Sequence, residues 1–460
     1  MSAETKGFGA RFAVPLLLGS VLNPINTTMI AVALVPIGRD LGLPTATVIW
    51  LVTGLYLASA VAQPVLGNLA DLLGPRRIFF LGTALVAVSG VLPELVPGFT
   101  GALLARIGIG IGTSAAYPAA LTMIRDQALR LGRPAPQTLV SGLSIAALSS
   151  TAVGPVLGGV LIAAFDWRAT FLVNVPLALT ALVLGILWLP SDRTRPARSA
   201  EAAARPGWVE LLDPVGTLLF AATITGLLLF LHDLRPSGWW LAVLTLVAGA
   251  ALVRWELSRR RPFLDLRMLG GNGVLVRTFL RMFVTYLAPY TVLYGLSQWL
   301  QEEAGYSSGG AGLIQLPNAI LAGIGSILIA RVIPTRWPLI VAGSLLTAGA
   351  ALMLLLDPGS GTWLLVLVSG VAGLGQGFAS VANQTVLYRS APDSAIGAAA
   401  GLSRTGVYLS AIVSAAVIGL VYGDRATTGG LHVLALFVLV AAAVALLMAV
   451  FDRALPRESR

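Results

Sequence analysis

A repeat of aromatic side chains in this sequence has the spacing of a ligand-binding helix face. Tyr286, Tyr290 and Tyr294 recur every four residues, and the amide of Gln298 follows at the same interval. Residues four apart lie on one face of a helix. Phenol rings beside an amide could stack on flat, amphipathic or cationic ligands. The alternative interpretation is an ordinary stripe of packed aromatic residues.

Arg106 places a charge inside an otherwise apolar stretch. Glycines follow it at spacing two, as Gly108, Gly110 and Gly112. A charged side chain at membrane depth costs at least about 2.5–3.5 kcal/mol and normally faces a wet cavity or a partner. We therefore expect Arg106 to be an essential embedded charge. The alternative is that its long side chain extends to the nearer membrane interface.

Further polar side chains stand within apolar stretches and could surround one ligand cavity together with the tyrosines. Each of them could instead form a hydrogen bond between two helices. The residues that we predict to line the cavity are Asn23, Asn26, Tyr117, Tyr286, Tyr290, Tyr294, Gln298, Gln315, Gln376 and Asn383.

The elements that must position these side chains are fourteen apolar stretches of membrane-spanning length. About 20 apolar residues span the hydrocarbon core as a helix, and an open backbone in lipid would leave polar groups unsatisfied. The chain is 57% hydrophobic and 11% charged, whereas soluble domains are about 25% charged. The sequence therefore predicts an all-α integral membrane protein with helices at 12–36, 47–69, 78–97, 100–124, 138–163, 169–189, 213–233, 238–257, 275–300, 309–333, 337–356, 362–388, 397–422 and 430–451.

The net charge of +10 is explained by topology and not by nucleic acid. If the N-terminus is cytoplasmic, Lys6 and 22 of the 29 arginines fall in or beside cytoplasmic segments, and four arginines fall outside. This positive-inside bias predicts that both termini are cytoplasmic and that the chain crosses the cell (inner) membrane many times. The basic residues could also contact anionic membrane lipids.

Several chemistries are disfavoured by residue content. The chain has no cysteine and two histidines, His232 and His432, which are far apart in sequence. No metal site, cofactor site, phosphate-binding loop or pair of nucleophile and base is recognisable, so we do not expect an enzyme.

Two basic, polar segments divide the chain. Residues 191–212 are rich in Arg, Ala and Pro, which predicts a mobile cytoplasmic linker, and a second basic segment begins at Arg254. The sequence thus predicts an N-terminal six-helix bundle (1–190), a linker with inserted helices 7 and 8 (191–260) and a C-terminal six-helix bundle (261–460). Two pseudo-symmetric six-helix halves around a central site form a known membrane-protein plan, although fourteen helices could also divide as seven and seven.

Three motifs decide between these divisions. The loop GNLADLLGPRR after predicted helix 2 resembles the hinge signature of the major facilitator superfamily, with Gly67, Asp71, Gly74, Arg76 and Arg77 at the matching positions. Arg106 and the glycines after it resemble the motif of helix 4 in that superfamily. The segment STAVGPVLGG in predicted helix 5 resembles its antiporter motif, through Gly154, Pro155, Gly158 and Gly159.

Other segments resemble the 14-helix drug:proton antiporter family of that superfamily. They are DWRATFLVNVP from Asp166, RPFLDL from Arg261 and GLSRT from Gly401. The resemblance implies a secondary active transporter that works by alternating access, exports hydrophobic or cationic drug-like compounds and is coupled to protons. It further implies a small-molecule substrate, and we expect a monomer.

One departure from the family concerns coupling. Predicted helix 1 reads INTTMIAVALVP, and Asn26 stands where the family commonly has an aspartate. An amide does not titrate, so this position carries no proton. Two alternatives therefore stay open: a facilitator or importer of a specific solute without proton coupling, and a membrane sensor that does not transport.

Overall fold

The regular structure of the chain is helical throughout the described residues. The computed structural model describes residues 7–192, 213–232, 238–259, 262, 266–330, 336–390 and 396–452. The helices of the first part are α1 Ala10–Leu41, α2 Trp50–Leu73 after a turn at Thr45–Val48, α3 Pro75–Leu95, α4 Phe99–Leu131, α5 Gln137–Ala164 and α6 Asn174–Trp188 after a turn at Ala169–Leu172.

The remaining helices follow in the order that the apolar pattern predicts. They are α7 Pro214–His232, α8 Trp239–Ser258, α9 (Gly273–Thr291, the π-helical segment Val292–Leu296 and Ser297–Glu302), α10 Ser308–Ala330, α11 Arg336–Met353, α12 Thr362–Ser390, α13 Ile396–Tyr422 and α14 Thr428–Phe451. A short helix, Leu266–Gly270, precedes α9. The predicted linker lies outside the described residues from position 193 to 212.

Twelve of these helices are long and apolar enough to cross a membrane, judged within the described residues by length and composition. The apolar part of α7 is shorter, at Pro214–Leu227. The helix α9 carries Arg277 and Arg281 and is interrupted by the π-helical segment. The prediction of fourteen spans is thus confirmed for twelve helices and stays a prediction for α7 and α9.

Within the described helices, packing defines two groups. Helices α1–α6 pack on one another and form the first group, and α9–α14 form the second group. The groups meet mainly where α2 contacts α13 and where α5 contacts α10, with α1 against the last part of α9. The pair α7 and α8 packs together and reaches the groups through α7, which contacts α2 and α13.

The two ends of the helical assembly are packed differently. We call the end with the start of α1 and the end of α14 the terminal end, and the opposite end the distal end. Near the distal end one apolar cluster contains side chains from both groups, including Ile30 and Trp167 of the first and Trp299 and Leu431 of the second. The clusters near the terminal end each hold residues of a single group. The groups therefore share apolar packing near the distal end, and towards the terminal end each described apolar cluster stays within one group. Beside the cavity, Tyr408 of α13 donates to the side-chain oxygen of Gln63 of α2 at 2.6 Å.

Candidate functional site

A cavity of about 280 Å³ lies between the two groups at the middle of the helices. Its walls come from α1, α2 and α5 on one side and from α9, α10, α12 and α13 on the other. The lining side chains are Asn23, Pro24, Thr27, Thr28, Tyr56, Thr151, Pro155, Met282, Tyr286, Pro289, Tyr290, Leu293, Gln315, Asn318, Ala319, Gln376, Ser380, Gln384, Ser403, Arg404, Val407 and Tyr408.

Half of the predicted cavity residues belong to this lining. Asn23, Tyr286, Tyr290, Gln315 and Gln376 face the cavity. The others lie elsewhere: Asn26, Tyr117, Tyr294, Gln298 and Asn383. Tyr117 was the predicted contribution of α4, and the described lining contains no residue of that helix.

The aromatic wall of the cavity comes from three helices. Tyr290 packs edge-on against Tyr56 with 5.4 Å between ring centroids, and Tyr56 lies 5.7 Å from Tyr408. Tyr286 continues this wall along α9, 6.3 Å from Tyr290. The spacing of the tyrosines in α9 predicted part of this wall. Tyr56 and Tyr408 do not belong to a comparable periodic pattern in the sequence.

Tyr294 continues the tyrosine row of α9 beyond the cavity lining, with its ring stacked on that of Tyr290 at 6.3 Å between centroids, and Gln298 follows it. Pro289 cannot donate a backbone hydrogen bond, and the π-helical segment Val292–Leu296 begins three residues later. Tyr294 is instead buried, donates to the carbonyl of Thr27 at 2.7 Å and meets the hydroxyl of Tyr56 at 3.0 Å. Gln298 is buried as well and donates to the carbonyl of Tyr294 at 3.1 Å.

Asn26 is buried between α1 and α6. Its side-chain amide exchanges hydrogen bonds with the amide of Asn174, at 2.5 and 3.0 Å. Only 1% of Asn26 is exposed. This residue therefore fixes the packing of α1 on α6 inside the first group.

Arg106 is also enclosed within the first group. Its guanidinium Nε donates to the carbonyl of Leu51 at 2.9 Å, and Nη1 donates to the carbonyl of Asn26 at 3.0 Å. The residue is 2% exposed, and within the described residues no carboxylate pairs with it. Arg106 thus ties α4 to α1 and α2, and it neither faces the cavity nor reaches a membrane interface.

Asn383 belongs to a cluster of charged residues at the terminal end of the second group. Its carbonyl oxygen accepts from Nε of Arg281 at 2.8 Å. Arg281 also pairs with Asp452 at 3.4 Å, and Arg277 reaches the same carboxylate at 3.3 Å. These contacts join α9, α12 and the end of α14.

Arg404 is the embedded arginine that does face the cavity. It belongs to the lining, its side chain is exposed to that space, and it lies on α13 one turn before Tyr408. Its guanidinium carbon is 5.6 Å from the ring centroid of Tyr117. The signal in the sequence was an arginine between Ser403 and Thr405 near the start of an apolar stretch, but Arg106 had the more recognisable motif.

The predicted antiporter motif lies where α5 passes α1 and α10. A Cβ atom added at Gly158 would lie 2.8 Å from Met29 and Val32 of α1, and Gly154 packs against Thr28 of the same helix. A Cβ atom at Gly159 would lie 2.7 Å from the Cα atom of Gly309 in α10. Pro155, beside them, lines the cavity. The motif therefore contacts helices of both groups.

The contact between α5 and α10 is formed by backbone on both sides. A Cβ atom at Gly312 would come within 2.5 Å of the carbonyl oxygen of Pro155. Side chains at Gly159 or Gly312 would push the two groups apart, so this approach requires glycine.

The predicted hinge is bound within the first group. The carboxylate of Asp192, beyond α6, accepts from the backbone amides of Arg76 and Arg77 at 3.1 and 3.0 Å, at the start of α3. Arg76 also donates to the carbonyl of Ile186 at 2.8 Å. Gly74 has φ +106° and packs against Asp192.

Two further hinge positions lie in the last turns of α2 and not, as we predicted, in a loop, because this helix continues to Leu73. Gly67 approaches Pro118 of α4, with 3.8 Å to an added Cβ atom. The backbone of Asp71 is helical, and its side chain lies outside the described part of the structure.

A cluster that we did not predict closes the distal end. The carboxylate of Glu302, at the end of α9, accepts from the hydroxyl of Thr45 at 3.3 Å and from the amide of Ala426 at 2.5 Å. Arg39 of α1 donates to the carbonyl of Gln301 at 3.0 Å. Burial raises the pKa of Glu302, against the opposing effect of the hydrogen bonds from Ala426 and Thr45. Because Thr45 and Arg39 belong to the first group, the cluster joins the two groups.

Backbone hydrogen bonds reinforce the same closure. The amide of Thr45 donates to the carbonyl of Asp424 at 3.2 Å, and the amide of Ala46 donates to the carbonyl of Gly423 at 2.8 Å. The start of α2 is thereby joined to the loop after α13.

Comparisons with known proteins match this architecture. A model of the Major Facilitator Superfamily matches residues 16–415 and also 278–460. The chain is 32% identical over 454 residues to the uncharacterized MFS-type transporter YwoD of Bacillus subtilis (strain 168), with 98% of each protein covered. It is 28% identical over 415 residues to the multidrug efflux pump LfrA of Mycolicibacterium smegmatis, with 88% of this chain and 79% of LfrA covered.

Solved structures agree on the fold. The inward open conformation of the xylose transporter XylE from E. coli aligns with a TM-score of 0.62 at 17% identity, and 94% of each chain is covered. A POT family transporter in complex with a thioalcohol conjugated peptide aligns with a TM-score of 0.64 at 16% identity, covering 95% of this chain and 94% of that one. The chain therefore belongs to the Major Facilitator Superfamily and is a multi-pass membrane transporter of small molecules.

Proposed function

We propose that this transporter exports aromatic, drug-like compounds from the cytoplasm by alternating access. The observation that carries the proposal is the cavity between the two helix groups, which share an apolar cluster near the distal end, whereas each described apolar cluster near the terminal end stays within one group. A substrate enters such a cavity from the terminal end and leaves when the groups rock to open the distal end. In this proposal we assign the two groups to the predicted bundles 1–190 and 261–460, with α7 and α8 as the inserted pair.

The orientation of the transporter in the membrane follows from the charge distribution. The terminal end carries most of the arginines, and positive segments stay in the cytoplasm. The distal end then faces the outside, both termini are cytoplasmic, and the described state is open to the cytoplasm. Similarity to LfrA, a multidrug efflux pump, and to a tetracenomycin C resistance and export protein of Streptomyces glaucescens supports export as the function.

Proton exchange is the energy source that the family resemblance implies, and one observation favours a second candidate. Among the described side chains that line the cavity there is no aspartate or glutamate. Asn26, at the position of the usual acid, is paired with Asn174 and buried. A facilitator that is driven by the gradient of its own substrate is therefore the second candidate.

Proteoliposomes separate these candidates. The purified full chain is reconstituted, and two fluorescent xanthene dyes are tested, anionic carboxyfluorescein and cationic tetramethylrhodamine ethyl ester. Exit of either dye that accelerates under an opposing proton gradient supports coupled export. Exit that is faster than from protein-free liposomes and insensitive to the proton gradient supports the facilitator. Rates equal to those of protein-free liposomes for both dyes would contradict both candidates.

A further inference from the structure

We propose that the cavity selects organic anions and that Arg404 is the residue that binds their negative group. The proposal rests on the proposed function and names its substrate class: flat aromatic compounds that carry a carboxylate or a similar anionic group. It differs from the cationic substrates that the family resemblance implies. The observations that carry it are the position of Arg404, the charges around it and the donors on the facing helices.

Arg404 presents an unpaired guanidinium to the cavity. Its side chain is exposed there, and within the described residues no carboxylate forms an ion pair with it. The groups around it are the phenols of Tyr117, Tyr286 and Tyr408, together with Tyr290. A guanidinium has five N–H donors and no acceptor, and its planar fork matches a carboxylate. An anion that enters from the cytoplasm would supply the missing partner.

The neighbouring embedded charges point in the same direction. Arg106 lies behind the cavity wall and is held by the carbonyls of Leu51 and Asn26, which do not neutralise its charge. Arg281, by contrast, is paired with Asp452. Two cations without a carboxylate partner among the described residues thus act on the cavity, and no described lining carboxylate opposes them. Because electrostatic interactions are strong in a poorly solvated interior, a cationic ligand is repelled and an anionic ligand is attracted.

The remaining wall fits the aromatic body of such an anion. Tyr56, Tyr290 and Tyr408 form a continuous aromatic surface on the side towards the distal end. The amide side chains of Gln315 and Gln376 stand on α10 and α12 across the cavity. A flat ring system can stack on the phenols while its anionic group remains at Arg404, which lies closer to the terminal end.

Binding of matched dyes tests the assignment. Carboxyfluorescein and tetramethylrhodamine ethyl ester share the xanthene ring system but have opposite charge, and their affinities for the purified full chain in neutral detergent are measured by fluorescence anisotropy. We expect the wild type to prefer the anion. Arg404→Gln should weaken anion binding roughly ten- to a hundredfold, as for loss of a charged hydrogen-bond partner, while cation binding is kept or strengthened. Arg404→Lys should restore part of the anion affinity, and Arg404→Glu should reverse the preference.

Other results would contradict either the assignment of the anion site or the proposed function. Equal or tighter binding of the cation by the wild type would overturn the proposal, as would unchanged anion binding in Arg404→Gln. Loss of both dyes in Arg404→Gln at an unaltered thermal unfolding temperature would assign Arg404 to gating and would also overturn it. Anion-selective binding without transport of either dye in proteoliposomes would contradict the proposed function and leave the assignment of the site standing. Transport of the cation alone would support the proposed function and contradict the assignment of the anion site.

Discussion

The distal and terminal ends of this transporter differ in how the two helix groups are joined. At the distal end, the groups share an apolar cluster, two glycine contacts between α5 and α10 and the hydrogen bonds of Glu302. At the terminal end, the clusters around Asp192 and around Asp452 each bind within one group. In the proposed alternating access, closure of the distal end therefore depends on contacts between the groups, whereas the charged residues at the other end hold each group together.

The largest effect is expected from a covalent lock at the distal end. The chain has no cysteine, so Thr45→Cys together with Asp424→Cys introduces one thiol pair without background. The amide of Thr45 lies 3.2 Å from the carbonyl oxygen of Asp424, and this proximity suits a disulfide. Oxidation should stop transport by preventing distal opening, and a reductant should restore it. The two single variants serve as controls; transport by the oxidised double variant at the wild-type rate would contradict the two-state motion.

The next effect is expected from filling the contact between α5 and α10. Gly159→Leu places a side chain where even a Cβ atom would lie 2.7 Å from Gly309. Overpacking costs about 1–3 kcal/mol and should shift the population away from distal closure. The measurements are the transport rate and, in the background of Thr45→Cys and Asp424→Cys, the yield of the disulfide between positions 45 and 424. Both should fall.

A matched control for this variant is on the facing helix. A Cβ atom at Gly309 would meet only the hydroxyl of Ser307, at 3.8 Å, so Gly309→Ala should keep the disulfide yield. If Gly159→Leu also kept its disulfide yield and its transport rate, the glycine contact would not control closure.

A smaller effect is expected from titration of Glu302. Burial raises its pKa in the distal-closed state, so protonation favours closure. The stabilisation of the closed state by protonated Glu302 is complete below the ordinary carboxyl pKa of about 4.3. It is lost as the external pH rises through the raised pKa of Glu302 in that state. Glu302→Gln should therefore remove a pH dependence of the disulfide yield in this window. Glu303→Gln, one residue further, is the control; an unchanged pH profile in Glu302→Gln would assign the titration to another group.

The smallest effect on transport is expected from Asp192→Ala at the terminal end. Loss of the bonds to the amides of Arg76 and Arg77 should cost about 1 kcal/mol of stability, as for a helix cap. Thermal unfolding in detergent should show the loss, while the disulfide yield at the distal end stays as in the wild type. A changed yield would mean that the hinge loop acts on closure directly.

The motifs predicted the family and the contacts between helices better than they predicted which side chains line the cavity. Their order indicated the superfamily, and the glycines of predicted helix 5 do lie at a contact between the helix groups. Of the embedded arginines, however, the motif favoured Arg106, which is enclosed by carbonyls, over Arg404, which faces the cavity. Local sequence shows that both arginines lie at membrane depth among apolar residues, but it does not show which of them faces the cavity.

What the sequence by itself determined was the class, the order of the helices and the superfamily, because apolar runs of this length must form helices in a membrane. Which side chains line the cavity was decided only by the tertiary structure. Long helices that are apolar on most sides leave their rotation unspecified by the hydrophobic pattern, and packing partners such as Asn174 for Asn26 are distant in sequence. Tyr290 and Tyr294 show the same limit, since their rings stack on one another and yet Tyr290 lines the cavity while Tyr294 is buried in the contact with α1 and α2.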